Sequence, residues 1–293
     1  MPDFRPVTRP TQRGFVRALL PSLTAIAVLS LGEEACGLPF PVGWMKRIVP
    51  IYSASVAVRG RDTVPSRGPL IATGFLYGIP EKSRLFVVTC RHVVRDLDSL
   101  ALSYHIRANA ETTVFLQRGG FPFFVYDDTG PADVAVCVAP SVWGGGDFEY
   151  FTGATTLASD SLNSTDPVYI VGYPLGMVGL ALTPIIRGGI VALPAQGNPT
   201  FVLDAHIYPG NSGGPVVTVP DIYNYRTNTI GDVSEPMLVG VASEYVAYRD
   251  VAVSLQTKRQ RVTFEENSGM AIAVSSRELQ RLLERLGAGP GIR

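Results

Sequence analysis

From about residue 48 to residue 275 the chain alternates short apolar runs with turn residues. Runs at 53–59, 70–77, 84–89, 100–106, 112–116 and 134–138 are followed by others at 168–172, 185–191, 200–203, 215–218, 237–242 and 269–274. They are rich in Val, Ile, Thr, Tyr and Phe, and Gly or Pro separates them. That pattern predicts an all-β chain of short antiparallel strands forming a barrel or sandwich. The stretch 139–160, with Gly144, Gly145 and Gly146, is the best break between two halves. One helix is expected, at the end. Ser275 and Glu278 form a capping box, Leu279, Leu282, Leu283 and Leu286 fall on one face, and Gly287 stops the turn. Such a helix docks against the second half; a partner-binding helix is the other reading.

At 293 residues the chain can bury a substantial core. Lys plus Arg and Asp plus Glu both total 25, so no global field recruits nucleic acid or an anionic membrane surface. Three cysteines, Cys36, Cys90 and Cys137, are too few and too scattered for a disulfide framework or a zinc site. Free thiols are expected, with a single Cys90–Cys137 bridge as the alternative.

Residues 1–44 differ from the rest. Arg5, Arg9, Arg13 and Arg17 precede an apolar stretch, 18–31, laid out like a secretory signal and too short to span a bilayer comfortably. If residues 1–32 are a signal peptide the protein is periplasmic or secreted. If Met45 is the true start, it is cytoplasmic.

The chemistry sits in short segments. In Tyr208-Pro209-Gly210-Asn211-Ser212-Gly213-Gly214-Pro215 a serine stands among glycines that permit a tight turn and close approach of another backbone. Such a turn exposes the Ser212 Oγ and can aim the N–H groups of Gly210 and Ser212 at one point, as an oxyanion demands. A Gly-rich hairpin with an incidental serine is the alternative. A serine hydroxyl needs a base, and the base needs an orienting group. Of the three histidines, His92 follows the apolar run 85–89 and opens a short helical turn, whereas His105 lies in a strand with its ring expected in solvent. Asp133 heads the alternating run 132–138, where a buried carboxylate would need a partner such as a histidine N–H. A strand-capping role is its other reading, and Asp127 and Asp128 read as turn formers.

The chain order His92, Asp133, Ser212 carries information. With Ala72-Thr73-Gly74-Phe75-Leu76, Val88-Thr89-Cys90-Arg91-His92-Val93-Val94, Asp133-Val134-Ala135-Val136 and Gly210-Asn211-Ser212-Gly213-Gly214-Pro215, residues 50–287 resemble the trypsin-like (chymotrypsin-fold) serine peptidases, with a bacterial HtrA-like flavour. Gly172-Tyr173-Pro174-Leu175-Gly176, the segment 238–243 and the segment 269–274 also resemble that group's second barrel. The resemblance implies two antiparallel six-stranded β-barrels at 45–150 and 151–275, and a C-terminal helix and tail at 276–293. It also implies a serine endopeptidase with catalytic His92, Asp133 and Ser212 in the cleft, acting on polypeptide substrates without metal or organic cofactor, in protein turnover or quality control. A catalytically silent peptide-binding pseudo-protease is the competing function.

By the same resemblance His206, Tyr208, Ser243 and Tyr245 line the primary specificity pocket. His206 is either a tuning residue there or a packed histidine near Asp204. Three departures qualify the likeness. Few residues follow the helix, so regulation through a PDZ domain is not expected. Asn211 stands where an activating acid would pair with a new N-terminus, so cleavage at Arg47-Ile48-Val49 is not expected to switch the protein on. Val93 replaces the usual cysteine beside the histidine.

Overall fold

The computed structural model describes the backbone of residues 42–59, 62–107, 110–139, 148–179, 182–218, 223–224, 229–230 and 235–287, and their side chains except at 42, 56–59, 62–63, 105–107, 110, 223–224 and 229–230. Residues 1–41 of the expected leader 1–44, with Cys36, and also Gly144 to Gly146 and the His105 side chain lie outside the described residues. Among the described residues fifteen strands and two α-helices follow in order. The first group is β1 (Ile48–Arg59), β2 (Asp62–Ile79), β3 (Arg84–Thr89), α1 (Arg91–Val94), β4 (Ser99–Arg107), β5 (Ala110–Gln117), β6 (Val125–Tyr126) and β7 (Ala135–Val138). The second is β8 (Pro167–Gly172), β9 (Ile185–Leu193), β10 (Thr200–Asp204), β11 (Pro215–Thr218), β12 (Tyr223–Asn224), β13 (Thr229–Ile230), β14 (Met237–Val253), β15 (Gln260–Ser275) and α2 (Ser276–Arg285).

Strands β1 to β7 form one antiparallel sheet in the order β5-β4-β1-β2-β3-β7-β6, and β8 to β11 with β14 and β15 close a six-stranded barrel in the order β10-β15-β14-β11-β8-β9. The architecture is the chymotrypsin-like pair expected. The first half departs from a closed six-stranded barrel by having seven strands and two ends. Gly119, Gly120 and Pro122 fall between β5 and the two-residue β6, where no ladder forms. The sheet nevertheless wraps one core. Val49, Ile51, Ala72, Leu76, Val87, Leu102, Leu116 and Ala135, from six of its strands, pack together.

Period-two alternation distributes these strands between two cores. Ile48, Phe75, Tyr77, Phe86, Val88 and Val136 face the other way, into a second cluster shared with Val171, Tyr173, Val217, Leu238, Val241 and Val274 of the barrel. The two halves are thus joined by a hydrophobic layer that both build. Cys137 lies in the first core and Cys90 in the shared layer, and both are free and buried. The Cys90–Cys137 bridge does not form, the two thiols lying in different cores. Among the described residues no helix is long and apolar enough to cross a membrane.

Helix α2 completes the shared layer with Leu279, Leu282 and Leu283. Its start differs from the capping box. The Ser275 side chain accepts from the Arg277 N–H, but the Ser275 N–H donates to the Pro199 carbonyl (2.9 Å) and Glu278 turns to Arg281 (2.6 Å). A tertiary acceptor takes the Ser275 N–H, and Glu278 finds its partner one turn along its own helix. Leu286 stays 37% exposed. In urea denaturation Leu279→Ala is expected to cost about 2–5 kcal/mol. Leu286→Ala is expected to change stability by no more than about 0.5 kcal/mol.

Candidate active site

Three local structures bring the chemistry together. After β3 the chain turns at Cys90 into the four-residue α1, which sets His92 at the end of a buried strand. Arg91 donates from Nη1 to the carbonyls of Asp127 (2.6 Å) and Gly130 (3.0 Å), holding the loop that delivers Asp133. The Asp133 carboxylate accepts from the His92 backbone N–H through Oδ1 (2.9 Å) and meets His92 Nδ1 through Oδ2 at 2.6 Å. Ser243 on β14 adds an O–H donor to Oδ2 at 2.5 Å. Burial pushes the Asp133 carboxyl up, but the hydrogen bonds from His92 and Ser243 and the His92 charge outweigh it, holding the group well below the usual carboxylate range.

The nucleophile loop comes from the other half. Asn211 is buried, its Oδ1 accepts from the Tyr208 N–H (3.1 Å), and its own N–H donates to the Tyr208 carbonyl (2.9 Å). An amide therefore closes the turn that a carboxylate would otherwise hold by an ion pair. Ile48, the residue after Arg47, is buried and paired with Phe75 at the head of β1, and Arg47 itself reaches Glu149 and Glu235 at 3.2 Å each. Gly210 has φ +101° and Gly213 φ +85°, and a Cβ at either would fall 2.2 Å or less from a neighbouring atom, so only glycine fits. The Pro209 carbonyl accepts from the Leu175 N–H at 2.7 Å. Because a trans peptide sets N–H opposite C=O, the Gly210 N–H faces away from that bond. Neither it nor the Ser212 N–H has an acceptor among the described residues.

Thr73 on β2 ties this loop to the first sheet. Its N–H donates to the Ser212 carbonyl (3.0 Å) and its Oγ1 donates to the Gly210 carbonyl (2.6 Å) while accepting from the Tyr173 N–H (3.0 Å). Thr89 Oγ1 donates in turn to the Thr73 carbonyl (2.7 Å), and Thr73, Thr89 and Tyr173 are all buried. Nothing in the sequence beyond a threonine in an apolar run pointed to this clasp.

His92, Asp133, Gly210, Ser212, Tyr208, Ser243 and Tyr245 line one cleft of about 640 Å³, with Arg91, Arg95 and Glu244 adding charge at its walls. His206 does not belong to the lining; its ring stands over Gly269, and its carbonyl accepts from Arg187 (2.7 Å). The Ser212 hydroxyl donates to the Ser243 carbonyl (2.9 Å) and makes no hydrogen bond to His92. Cys90, His92 and Asp133 offer ligand atoms within 4.8 Å of one another. They suit a metal poorly. The buried Cys90 thiol, raised well above its ordinary pKa by burial and the Asp133 charge, is not a ready thiolate, and Asp133 Oδ2 is already shared by two partners.

The family model of the trypsin-like peptidase domain matches residues 72–221, just over half of the chain, and the protein belongs to that family. No curated protein matches the sequence. Among solved structures, the HtrA-type protease AlgW with a decapeptide superposes with a TM-score of 0.50 at 14% identity, covering 84% of this chain and 66% of that one. The protease domain of MamO from Magnetospirillum magneticum gives 0.48 at 14% identity over 83% of this chain and 98% of that one. A serine endoprotease from Yersinia pestis gives 0.47 at 16% identity over 83% and 64%. The likeness to AlgW is one of fold, and this chain spans about two-thirds of that protein.

Two outcomes follow from the geometry. Thr73→Val keeps the shape but strands the buried Gly210 carbonyl and Tyr173 N–H. It should lose about 2–4 kcal/mol in denaturant titration, with Thr73→Ser retaining most of it. The folded-state pKa of Asp133 lies below its unfolded value of about 3.9, so its stabilisation is present above about pH 4 and lost as pH falls through the folded value. The melting-temperature gap between wild type and Asp133→Asn should therefore shrink as pH drops from about 6 towards 3.

Proposed function

We propose that the protein is a serine endopeptidase that cleaves polypeptides through an acyl-enzyme intermediate. The observation that carries this reading is the 2.6 Å pairing of His92 Nδ1 with Asp133, across one cleft from a serine whose flanking amides are unspent. Asp133 keeps the Nδ1 proton on its side of the ring, so Nε2 is the atom left to act as base. Ser212 reaches it by rotation about Cα–Cβ, giving up the Ser243 carbonyl. Its oxygen then attacks the scissile carbonyl while the proton passes to Nε2. The N–H groups of Gly210 and Ser212 receive the oxyanion, and the imidazolium returns the proton to the leaving amine. Water repeats the sequence on the ester and frees Ser212.

Tyr208, Ser243 and Tyr245 fit the role of substrate contacts from their place in the cleft. His206, exposed beside Gly269 and outside the cleft, does not fit that role. An unfolded chain, as met in protein quality control, suits an open groove of this size.

The hydrogen bond from Ser212 to the Ser243 carbonyl favours a second reading, a peptide-binding pseudo-protease whose serine never engages the histidine. Full-length protein incubated with unfolded casein and with a fluorophosphonate probe separates the two. Endopeptidase activity predicts cleavage and labelling at Ser212, with Ser212→Ala and His92→Ala each lowering the rate by roughly 10³-fold or more. Folded protein that neither cleaves nor labels would establish the pseudo-protease.

A further inference from the structure

Charged side chains line the cleft around Ser212 and His92, and all but one are already committed to partners in the protein. Arg91 spends Nη1 on the carbonyls of Asp127 (2.6 Å) and Gly130 (3.0 Å). Asp133 accepts from His92 and from Ser243. Arg95, just after α1, holds the carboxylate of Asp96 at 3.1 Å. Glu244 is the exception. It lines the same cleft, it is exposed, and among the described residues its carboxylate has neither a hydrogen bond nor an ion pair.

The neighbours of Glu244 keep it so. The residue opposite it on β15 is Ile272, which offers no charge. Tyr245, next along β14, directs its hydroxyl to Glu265 (2.9 Å), an acid already held by Arg249 (3.0 Å). Ser243, on the other side, is buried, with its hydroxyl on Asp133 and its carbonyl accepting from Ser212 (2.9 Å). Glu244 therefore stands one residue beyond the group that holds the nucleophile, at the mouth of the cleft and not in its floor. In the empty cleft water solvates such a carboxylate fully. A polypeptide that fills the cleft displaces that water, so a cationic side chain nearby restores a partner, whereas an acidic one adds repulsion to the lost solvation.

We propose that Glu244 is a specificity-determining residue, and that it selects polypeptide segments carrying a lysine or arginine about two to four residues from the cleaved bond. The proposal deepens the endopeptidase reading and rests on it. The residue at the bond itself must lie against Ser212, and an extended chain advances about 3.3 Å per residue, so a carboxylate displaced outward from Ser243 meets side chains farther along the substrate. The charge thus acts on a residue that the chemistry does not touch.

A neutral, casein-derived fluorogenic peptide tests this with the full-length protein, beside versions carrying one lysine or one glutamate at each of the four positions on either side of the cleaved bond. At a position away from the bond the lysine peptide should exceed its glutamate counterpart in kcat/KM by about three- to fivefold, the reach of one partly exposed ion pair. Added salt should shrink that ratio. Glu244→Gln should bring it close to one, and Glu244→Lys should invert it, an outcome that loss of folding cannot imitate. Anisotropy of the same labelled peptides with Ser212→Ala protein reads the preference without turnover. A protein that binds with this preference and cuts nothing would count against the endopeptidase reading and leave the role of Glu244 in selection standing. Equal rates and equal binding for lysine and glutamate peptides at every position would overturn the proposal. So would a lysine preference that survives Glu244→Gln, or one confined to the residue at the cleaved bond.

Discussion

One buried hydroxyl governs the arrangement of the site. Thr73 belongs to the first sheet, yet its side chain and N–H bind the backbone on either side of Ser212, and Thr89 fixes Thr73 from behind. The carbonyls of Gly210 and Ser212 are thereby turned into the protein, while the Leu175 N–H holds the Pro209 carbonyl and so aims the Gly210 N–H the other way. A donor array aimed at an oxyanion is costly to keep unpaired, and it persists only where the surrounding backbone has no freedom to close on itself. The clasp supplies that restraint across the boundary between the two halves.

The same boundary explains how much of the fold was legible in the sequence. Alternation along β2, β3 and β7 marks them as strands, and burial of both faces is the natural consequence of a sheet that has its own core and also packs against a partner. The glycines and the His92, Asp133, Ser212 order could be read because each imposes a local requirement that few residue types meet. The four-residue turn after β3 and the leucine face of α2 were legible for the same reason.

Other features depended on partners far away in the chain. Ser243 read as a pocket residue, while its side chain is spent on Asp133, 110 positions earlier. The capping box of Ser275 and Glu278 does not form because the Ser275 N–H is spent on the Pro199 carbonyl, 76 positions earlier, and Glu278 pairs with Arg281 along its own helix. The pairing of β14 with β15 beyond Tyr245 was hidden because 246–268 mixes charge with isolated apolar residues, and a strand exposed on both faces has no periodic signature. Ser212 shows another limit: its position follows from the loop, but which acceptor its hydroxyl chooses depends on a single torsion.

The shared layer between the halves has a bearing on biosynthesis. His92 and Asp133 emerge from the ribosome well before Ser212, and the layer that seats one half on the other also needs Leu279, Leu282 and Leu283 from α2, which follows every strand of the barrel. A nascent chain can fold its first sheet early, since domains fold as units during synthesis, but it cannot assemble the cleft until that helix is free of the exit tunnel. Vectorial translation thus acts as a timer, and the cleft first closes around its chemistry only after both halves have been made.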